Sequence, residues 1–143
     1  MNRRKRKKAA RHLVTAALLG DAPRVRALLR AGADPDHADG DGTTPLYQAS
    51  VQGDAEIARL LLAAGARPNT ESGRGSEGTP LCGAACWGYT GTVRVLLAGG
   101  ADPNLPEDHG TGWTPLEWAD RGPHPETAAV LVAAGAVRRM PSP

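Results

Sequence analysis

Thr-Pro-Leu stands at Thr44-Pro45-Leu46, Thr79-Pro80-Leu81 and Thr114-Pro115-Leu116, each copy 35 residues from the next. A second marker, Gly-Ala, stands at Gly32-Ala33, Gly65-Ala66, Gly100-Ala101 and Gly135-Ala136, at steps of 33, 35 and 35. Each Thr precedes its Gly by 21 residues, so a body of fixed length is joined by connections that vary by two. Accidental recurrence would not hold one segment constant while the other changes. Four such bodies occupy residues 11–32, 44–65, 79–100 and 114–135. A period of this size marks stacked units that bury their apolar faces only against one another.

Each body divides into two short helical stretches. Thr44, Thr79 and Thr114 are suited to cap the first helix, and the Pro that follows sits where its missing N–H costs nothing. Leu46 with Ala49, Leu81 with Ala84 and Leu116 with Ala119 then share a face at i,i+3. The second stretch carries Ile57, Leu60 and Leu61, and correspondingly Val93, Val95 and Leu96. The closing Gly fits a left-handed position that turns the chain out of the helix. Between bodies lie "DPDHADGDGT", "RPNTESGRGSEG" and "DPNLPEDHGTGW", rich in turn formers and too poor in apolar residues to pack alone.

The core material agrees. Phe is absent and aromatics are 3% of the 143 residues, so Ala, Leu and Val must form the interior, which suits closely stacked helices. The formal charge of +2 conceals an asymmetry: residues 1–11 hold seven of the seventeen basic residues, leaving ten against fifteen acids in the remainder. A basic arm on an acidic body differs from a nucleic-acid-binding domain, which carries its positive charge on the folded surface. Two cysteines, Cys82 and Cys86, make no disulfide framework and fit a reducing, cytoplasmic setting. No apolar run approaches bilayer length. The opening "MNRRKRKKAARHLVTAALLGDA" superficially suggests a secretory leader, but His12 and Thr15 interrupt its apolar part, which leads straight into the first body.

The segments "GTTPLYQASVQGDAEIARLLLAAGARPN" (42–69) and "GTPLCGAACWGYTGTVRVLLAGGADPN" (78–104) closely resemble the ankyrin repeat, and the likeness extends over residues 11–136. It implies an all-α solenoid of paired antiparallel helices with hairpin-like loops, holding a partner protein on the face formed by loop tips and first helices. Units are expected at about 11–36, 40–69, 75–104 and 110–136, after a basic arm at 1–10 and before a tail at 137–143. Several departures stand out. The family's His after Thr-Pro-Leu is replaced by Tyr47, Cys82 and Glu117, so the junctions it braces must be weaker or built otherwise. Unit one has Arg11-His12-Leu13 in place of Thr-Pro-Leu and resembles an N-terminal cap. In unit four Gly122 comes one position early and Pro123 replaces the inter-helix Gly, which predicts a reshaped turn.

On that resemblance the candidate partner-binding residues are Val51, Gln52, Cys86, Trp87 and Arg121 at exposed positions of the first helices, with Thr43 and Trp113 on the loops. Gly78 shares the loop position of Thr43 and Trp113. Trp87 and Trp113 are either binding anchors, as large aromatics often are, or packing at the base of a loop; Trp118 is expected to pack. Cys82 and Cys86, one helical turn apart, are weak evidence for a metal without further ligands. Cys82 is expected to be buried and Cys86 accessible. The acidic stretch "DPDHADGD" lacks the spacing of a calcium loop, and His109 and His124 have no nucleophile and acid beside them.

The expected function is therefore that of a non-catalytic protein-binding module without cofactors, monomeric, with a partner that presents a basic surface. Two rivals remain. The apolar last helix, "AAVLVAAG", suggests a structural or self-assembling subunit. Residues 3–11 leave open a solvated tail, nonspecific contact with nucleic acid or an anionic surface, or a nuclear-import signal. The absence of Lys after residue 8 and the abundance of Ala and Gly resemble GC-rich bacterial coding and point away from nuclear import.

Overall fold

A computed structural model describes residues 2–139; of the expected arm and tail, residue 1 and residues 140–143 lie outside the described residues. The chain forms nine α-helices among these residues: α1 (Arg3–Ala10), α2 (Leu13–Leu18), α3 (Ala22–Arg30), α4 (Pro45–Val51), α5 (Ala55–Ala63), α6 (Pro80–Cys86), α7 (Thr90–Ala98), α8 (Pro115–Arg121) and α9 (Pro125–Ala133). From α2 onward they pair as α2/α3, α4/α5, α6/α7 and α8/α9. The first helices stack in one layer and the second helices in another, each touching its counterpart in the next pair. The result is the expected all-helical, solenoid-like stack.

The period operates as an instruction for starting and stopping helices. Thr44, Thr79 and Thr114 are extended, and their Oγ1 atoms accept from the N–H groups of Tyr47, Cys82 and Glu117, each at 3.2 Å. These bonds satisfy donors that the first helical turn leaves unpaired. The exit from each second helix is equally regular. Gly65, at φ +99, sends its N–H to the Leu62 carbonyl, and the Ala66 N–H reaches back to Leu61 at 3.0 Å. This paired closure needs a left-handed residue, which glycine adopts without penalty. Ala33, Ala101 and Ala136 close their helices in the same way.

Packing follows the pattern of the bodies. Leu46, Leu81 and Leu116 from the first helices, and Ile57, Leu61, Val93, Leu96 and Leu131 from the second, are at most 2% exposed. Ala49, Ala84 and Ala119 are fully buried beneath them. Small residues here let neighbouring helices approach closely, and one apolar cluster runs without interruption from Ala9 to Ala136. Leu60 and Val95 lie half-buried at its edge.

Two expectations are corrected. Residues 3–10 are no separate arm, because they form α1. Asn2 caps it by accepting from the Lys5 N–H at 3.0 Å, and Ala9 and Ala10 are buried in the common core, with α1 resting on α3. Loop residue Thr43 is no surface residue: it is 7% exposed, as its hydroxyl donates to Glu77 Oε1 at 2.8 Å. Gly78, at the same loop position, is buried too. Unit four keeps its turn in altered form. The His124 N–H bonds the Ala119 carbonyl, as the N–H groups of Asp54 and Tyr89 bond Ala49 and Ala84 in earlier units. Pro123 removes the left-handed step, and the imidazole of His124 folds over Gly122, where any Cβ would collide with the ring.

The loops carry a second periodic bond between units. Asp36, Asn69 and Asn104 each accept, through a side-chain oxygen, from the backbone N–H two residues beyond the next exit glycine. The donors are Arg67, Asp102 and Val137, at 2.9, 2.8 and 2.9 Å. Asn104 also donates to the Gly135 carbonyl at 3.0 Å. Asn104→Ala deletes both bonds at the last junction. It should destabilise the chain by about 1–2 kcal/mol, read as a lower urea midpoint at unchanged m-value, while Asn104→Asp should retain the bond to Val137 and lose less.

Candidate functional site

A 35-residue step carries a position on one first helix to its neighbour. Val51, Cys86 and Arg121 therefore form one row, and Gln52, Trp87 and Gly122 another. These rows hold five of the seven candidate residues, and the structure distinguishes sharply among them. Val51 is half-buried against Gly83 of α6. Gln52 spans a junction: its Nε2 donates to the Ala17 carbonyl at 2.9 Å, near the end of α2. Cys86 is partly covered, and its carbonyl accepts from His124 Nε2 at 3.0 Å. The His124 bridge satisfies a carbonyl that the C-terminus of α6 leaves without a backbone partner, and the Gln52 bridge gives the Ala17 carbonyl a second donor beside the Gly20 N–H.

Trp87 and Arg121 remain open. Trp87 is 62% exposed at the C-terminal cap of α6. Arg121 is exposed at the end of α8 and lays its guanidinium over the Trp113 ring, 3.6 Å from the centroid. Trp113 in turn meets Trp118 at 4.5 Å between centroids, tilted by 57°. The tilt sets the positive edge of one ring towards the negative face of the other. Arg121, Trp113 and Trp118 thus form a stack on the α8 surface, with Trp118 as its inner, half-buried member. Trp113 is both packed and partly accessible.

Carboxylates that the sequence left unassigned lie beside this stack. The Trp118 indole N–H donates to Glu107 Oε1 at 3.0 Å. Burial pushes the Glu107 carboxyl above its ordinary value; the indole bond opposes that shift, and the charges of Asp108 and Glu71 add to it. Across the same loops Glu77 accepts from Thr43 and from Ser72, at 2.8 and 2.9 Å. The Glu71 carboxylate accepts from the His109 N–H at 2.7 Å. Tyr47 is pushed up to about 12, first by burial and then by Glu77 and Glu107. Among the described residues Glu77, Glu107 and Asp108 make no ion pair. Glu117 differs. Hydrogen bonding from Arg139 holds its carboxyl below the ordinary value, and Arg138 pairs with Asp120 at 3.0 Å, so the chain after α9 returns across α8.

The three replacements for the expected His act separately. Tyr47 lies against Gly83, Glu117 binds Arg139, and the Cys82 thiol points at the Trp113 carbonyl at 3.6 Å. Burial pushes the Cys82 thiol up to about 12, and Cys86 is raised as well, mainly by burial. Both cysteines are free. Among the described residues no group of three or more His, Cys, Asp or Glu side chains is placed to hold a metal ion, and no helix is long and apolar enough to cross a membrane.

Glu107 and Trp118 were missed as a pair because they touch across eleven residues of loop and helix. The sequence offers no local signal for the pair, since Glu107 lies in a loop and Trp118 inside α8.

A family model described as ankyrin repeats, in three copies, matches residues 13–107. No curated protein matches the chain.

Two measurements check this geometry. In its raised range, Glu107 holds a proton in the folded chain that the unfolded chain has already released. Its contribution to stability is therefore greatest at low pH and declines as pH rises through the interval between the unfolded and folded values. Glu107→Gln keeps an acceptor for Trp118 without the buried charge. The variant should lose that decline and unfold at pH 7 no more readily than wild type. A thiol reagent near pH 8 should modify Cys86 in the native chain and Cys82 only after denaturation, so Cys86→Ser should leave the folded protein almost unlabelled.

Proposed function

Since the chain belongs to the ankyrin-repeat family, whose repeats generally mediate protein–protein interactions, we infer that it is a non-catalytic binding module whose partner docks on the first-helix and loop surface around Trp87, Trp113 and Arg121. The fourth helix pair, beyond the matched residues, is taken as a diverged fourth repeat, because its Thr114 cap and Gly135 exit follow the same pattern.

The observation that carries this reading is the exposure of Trp87 in a chain whose interior is built of Ala, Leu, Val and Ile. A chain with no Phe and three Trp that leaves one indole 62% exposed forgoes a large share of its available aromatic burial. Trp is among the residues that dominate interface energies, worth about 2 kcal/mol or more when buried centrally. Glu77, Glu107 and Asp108, which make no ion pair among the described residues, favour a partner with a basic surface, since a cation would offset the charges of Asp108 and Glu71 that add to the burial raising Glu107. Val51, Gln52 and Cys86 contribute shape to the surface; their polar or apolar contacts are already directed at neighbouring helices.

A second reading, self-assembly, has one observation in its favour. The outer side of α9 borders a groove of about 480 Å³ lined by Pro125, Ala128, Ala129, Val132 and Ala133, with the Asp120–Arg138 pair at its rim. Val132 is 45% exposed there. Light scattering at high concentration separates the two: a monomer keeps the first reading, and a concentration-dependent dimer lost in Val132→Asp supports the second.

Trp87→Ala is the cleaner test, because Trp113→Ala would also remove the ring beneath Arg121 and beside Trp118. With a partner identified by pull-down from the native host and then purified, Trp87→Ala should weaken binding at least ten-fold, about 1.4 kcal/mol, without altering the melting temperature. Affinity unchanged in both Trp87→Ala and Arg121→Ala would place the docking surface elsewhere.

A further inference from the structure

We propose that α1 and the loop before α4 form a cationic groove that binds the phosphate backbone of double-stranded nucleic acid, independently of base sequence and of the surface around Trp87. The groove, about 350 Å³, is lined by Arg4, Lys7, Arg11 and His37. Arg4, Lys7 and Arg11 follow one another at i, i+3 and i+7, so a single helical face presents them along about 10 Å. Arg11, just past the end of α1, retains helical backbone angles, which keeps it in register.

The charge is fixed in place by the fold. Buried Ala9 and Ala10 hold α1 on the stack, Asn2 caps its start, and the stem of Arg6 passes over Gly32. Residues 3–8 are all basic and all exposed, and among the described residues none of the basic side chains at 3–11 has an acidic partner within salt-bridge distance. Like charges three and four apart on a helix repel by a few tenths of a kcal/mol per pair, about 0.2–0.5. A polyanion laid along the groove removes that repulsion and releases its own condensed counterions.

Asp34, Asp36, Asp39 and Asp41 of the adjoining loop keep their negative charge, but among the described residues none lies within salt-bridge distance of α1, and Asp36 lies 3.9 Å from Arg67 Nε of the next unit. The charge-bearing element is therefore a folded surface feature, as nucleic-acid recognition requires.

The chemistry of the groove selects among polyanions. An interfacial membrane helix needs an apolar side to insert, and the apolar residues of α1, Ala9 and Ala10, face the core. A single strand is held by aromatic stacking, and no aromatic residue occurs before Tyr47. Charge alone remains, matching the dense and regular phosphates of a duplex.

The test uses the full chain and a fluorescein-labelled DNA duplex of about 20 base pairs, with anisotropy read from about 25 to 200 mM KCl. Wild type should bind at low salt, with a log–log salt slope near −3, as three to four phosphate contacts give. Arg4→Ala/Lys7→Ala/Arg11→Ala should weaken binding more than ten-fold and flatten the slope by about 2 to 3. Arg4→Lys/Arg11→Lys, which keeps charge and helix, should retain the slope. Arg59→Ala/Arg94→Ala, on α5 and α7, should bind as wild type does. Circular dichroism and melting of each variant separate loss of contact from loss of fold. The proposal is overturned by no duplex binding at low salt, by equal loss in the α5/α7 variant, or by a slope lost in the lysine variant. It is also overturned if phosphatidylserine vesicles or a second copy of the chain bind the groove more tightly than the duplex.

Discussion

Burial shared between neighbouring helix pairs is the constraint from which the remaining features follow. A pair such as α4/α5 is two helices of seven and nine residues, far too short to persist in water alone. Leu46 and Ile57 reach zero or near-zero exposure only because pairs on both sides cover them. Each pair must therefore start and stop at a fixed place, so that its apolar face meets the next in register. The threonine caps and left-handed glycine exits provide those fixed ends at little cost in length. Alanine between them keeps the helix axes close, so a core without Phe still has no need of large side chains.

Register of the pairs in turn determines what the loops can do. Once exits repeat every 33 to 35 residues, the side chains of Asp36, Asn69 and Asn104 come opposite the next exit and bind its backbone. The loops thereby join successive units without a strand of their own among the described residues; each closes by one hairpin-like backbone bond, from the N–H of Asp39, Ser72 or Glu107 to the carbonyl of Thr43, Gly78 or Trp113. Carboxylates are brought together as a consequence. Glu71, Glu77 and Glu107 come from two successive loops and meet because the stack aligns those loops. The charge of Glu71 there adds to the burial that raises the Glu107 carboxyl.

The helices were legible in the sequence because their signals are local: a cap lies three residues from the N–H it accepts, and the exit glycine lies within two residues of its helix. Leu46 and Ala49 could be assigned to one face by spacing alone. Features that depend on contact between units were not legible. Thr43 looked like loop surface until Glu77, 34 residues away, folded over it. Residues 3–10 looked like a tail because six charges outweigh two alanines in any composition, yet those two alanines are what reach the core. Trp113 looked like a candidate anchor with packing as the rival, and its geometry joins the two: Arg121 lies over its face and Trp118 packs tilted against it.

The two ends of the stack reflect the same constraint by different means. A terminal pair has one apolar side without a neighbour, and the chain treats each end according to what adjoins it. At the start, α1 supplies a short helix whose alanines cover α3 and whose outward side is wholly charged, so covering the end and concentrating positive charge are one structural act. At the other end Arg138 and Arg139 return to Asp120 and Glu117, fastening the chain across α8 while leaving Val132 on α9 exposed. Stability in a nearest-neighbour stack is lowest where neighbours are fewest. Unit four, with its proline turn, has lost one regular device and gained the His124 bridge to α6 in exchange. That bridge binds the last pair to the one before it at the junction where Trp87, Trp113 and Arg121 are displayed, so the order of the candidate surface rests on the attachment of the final unit.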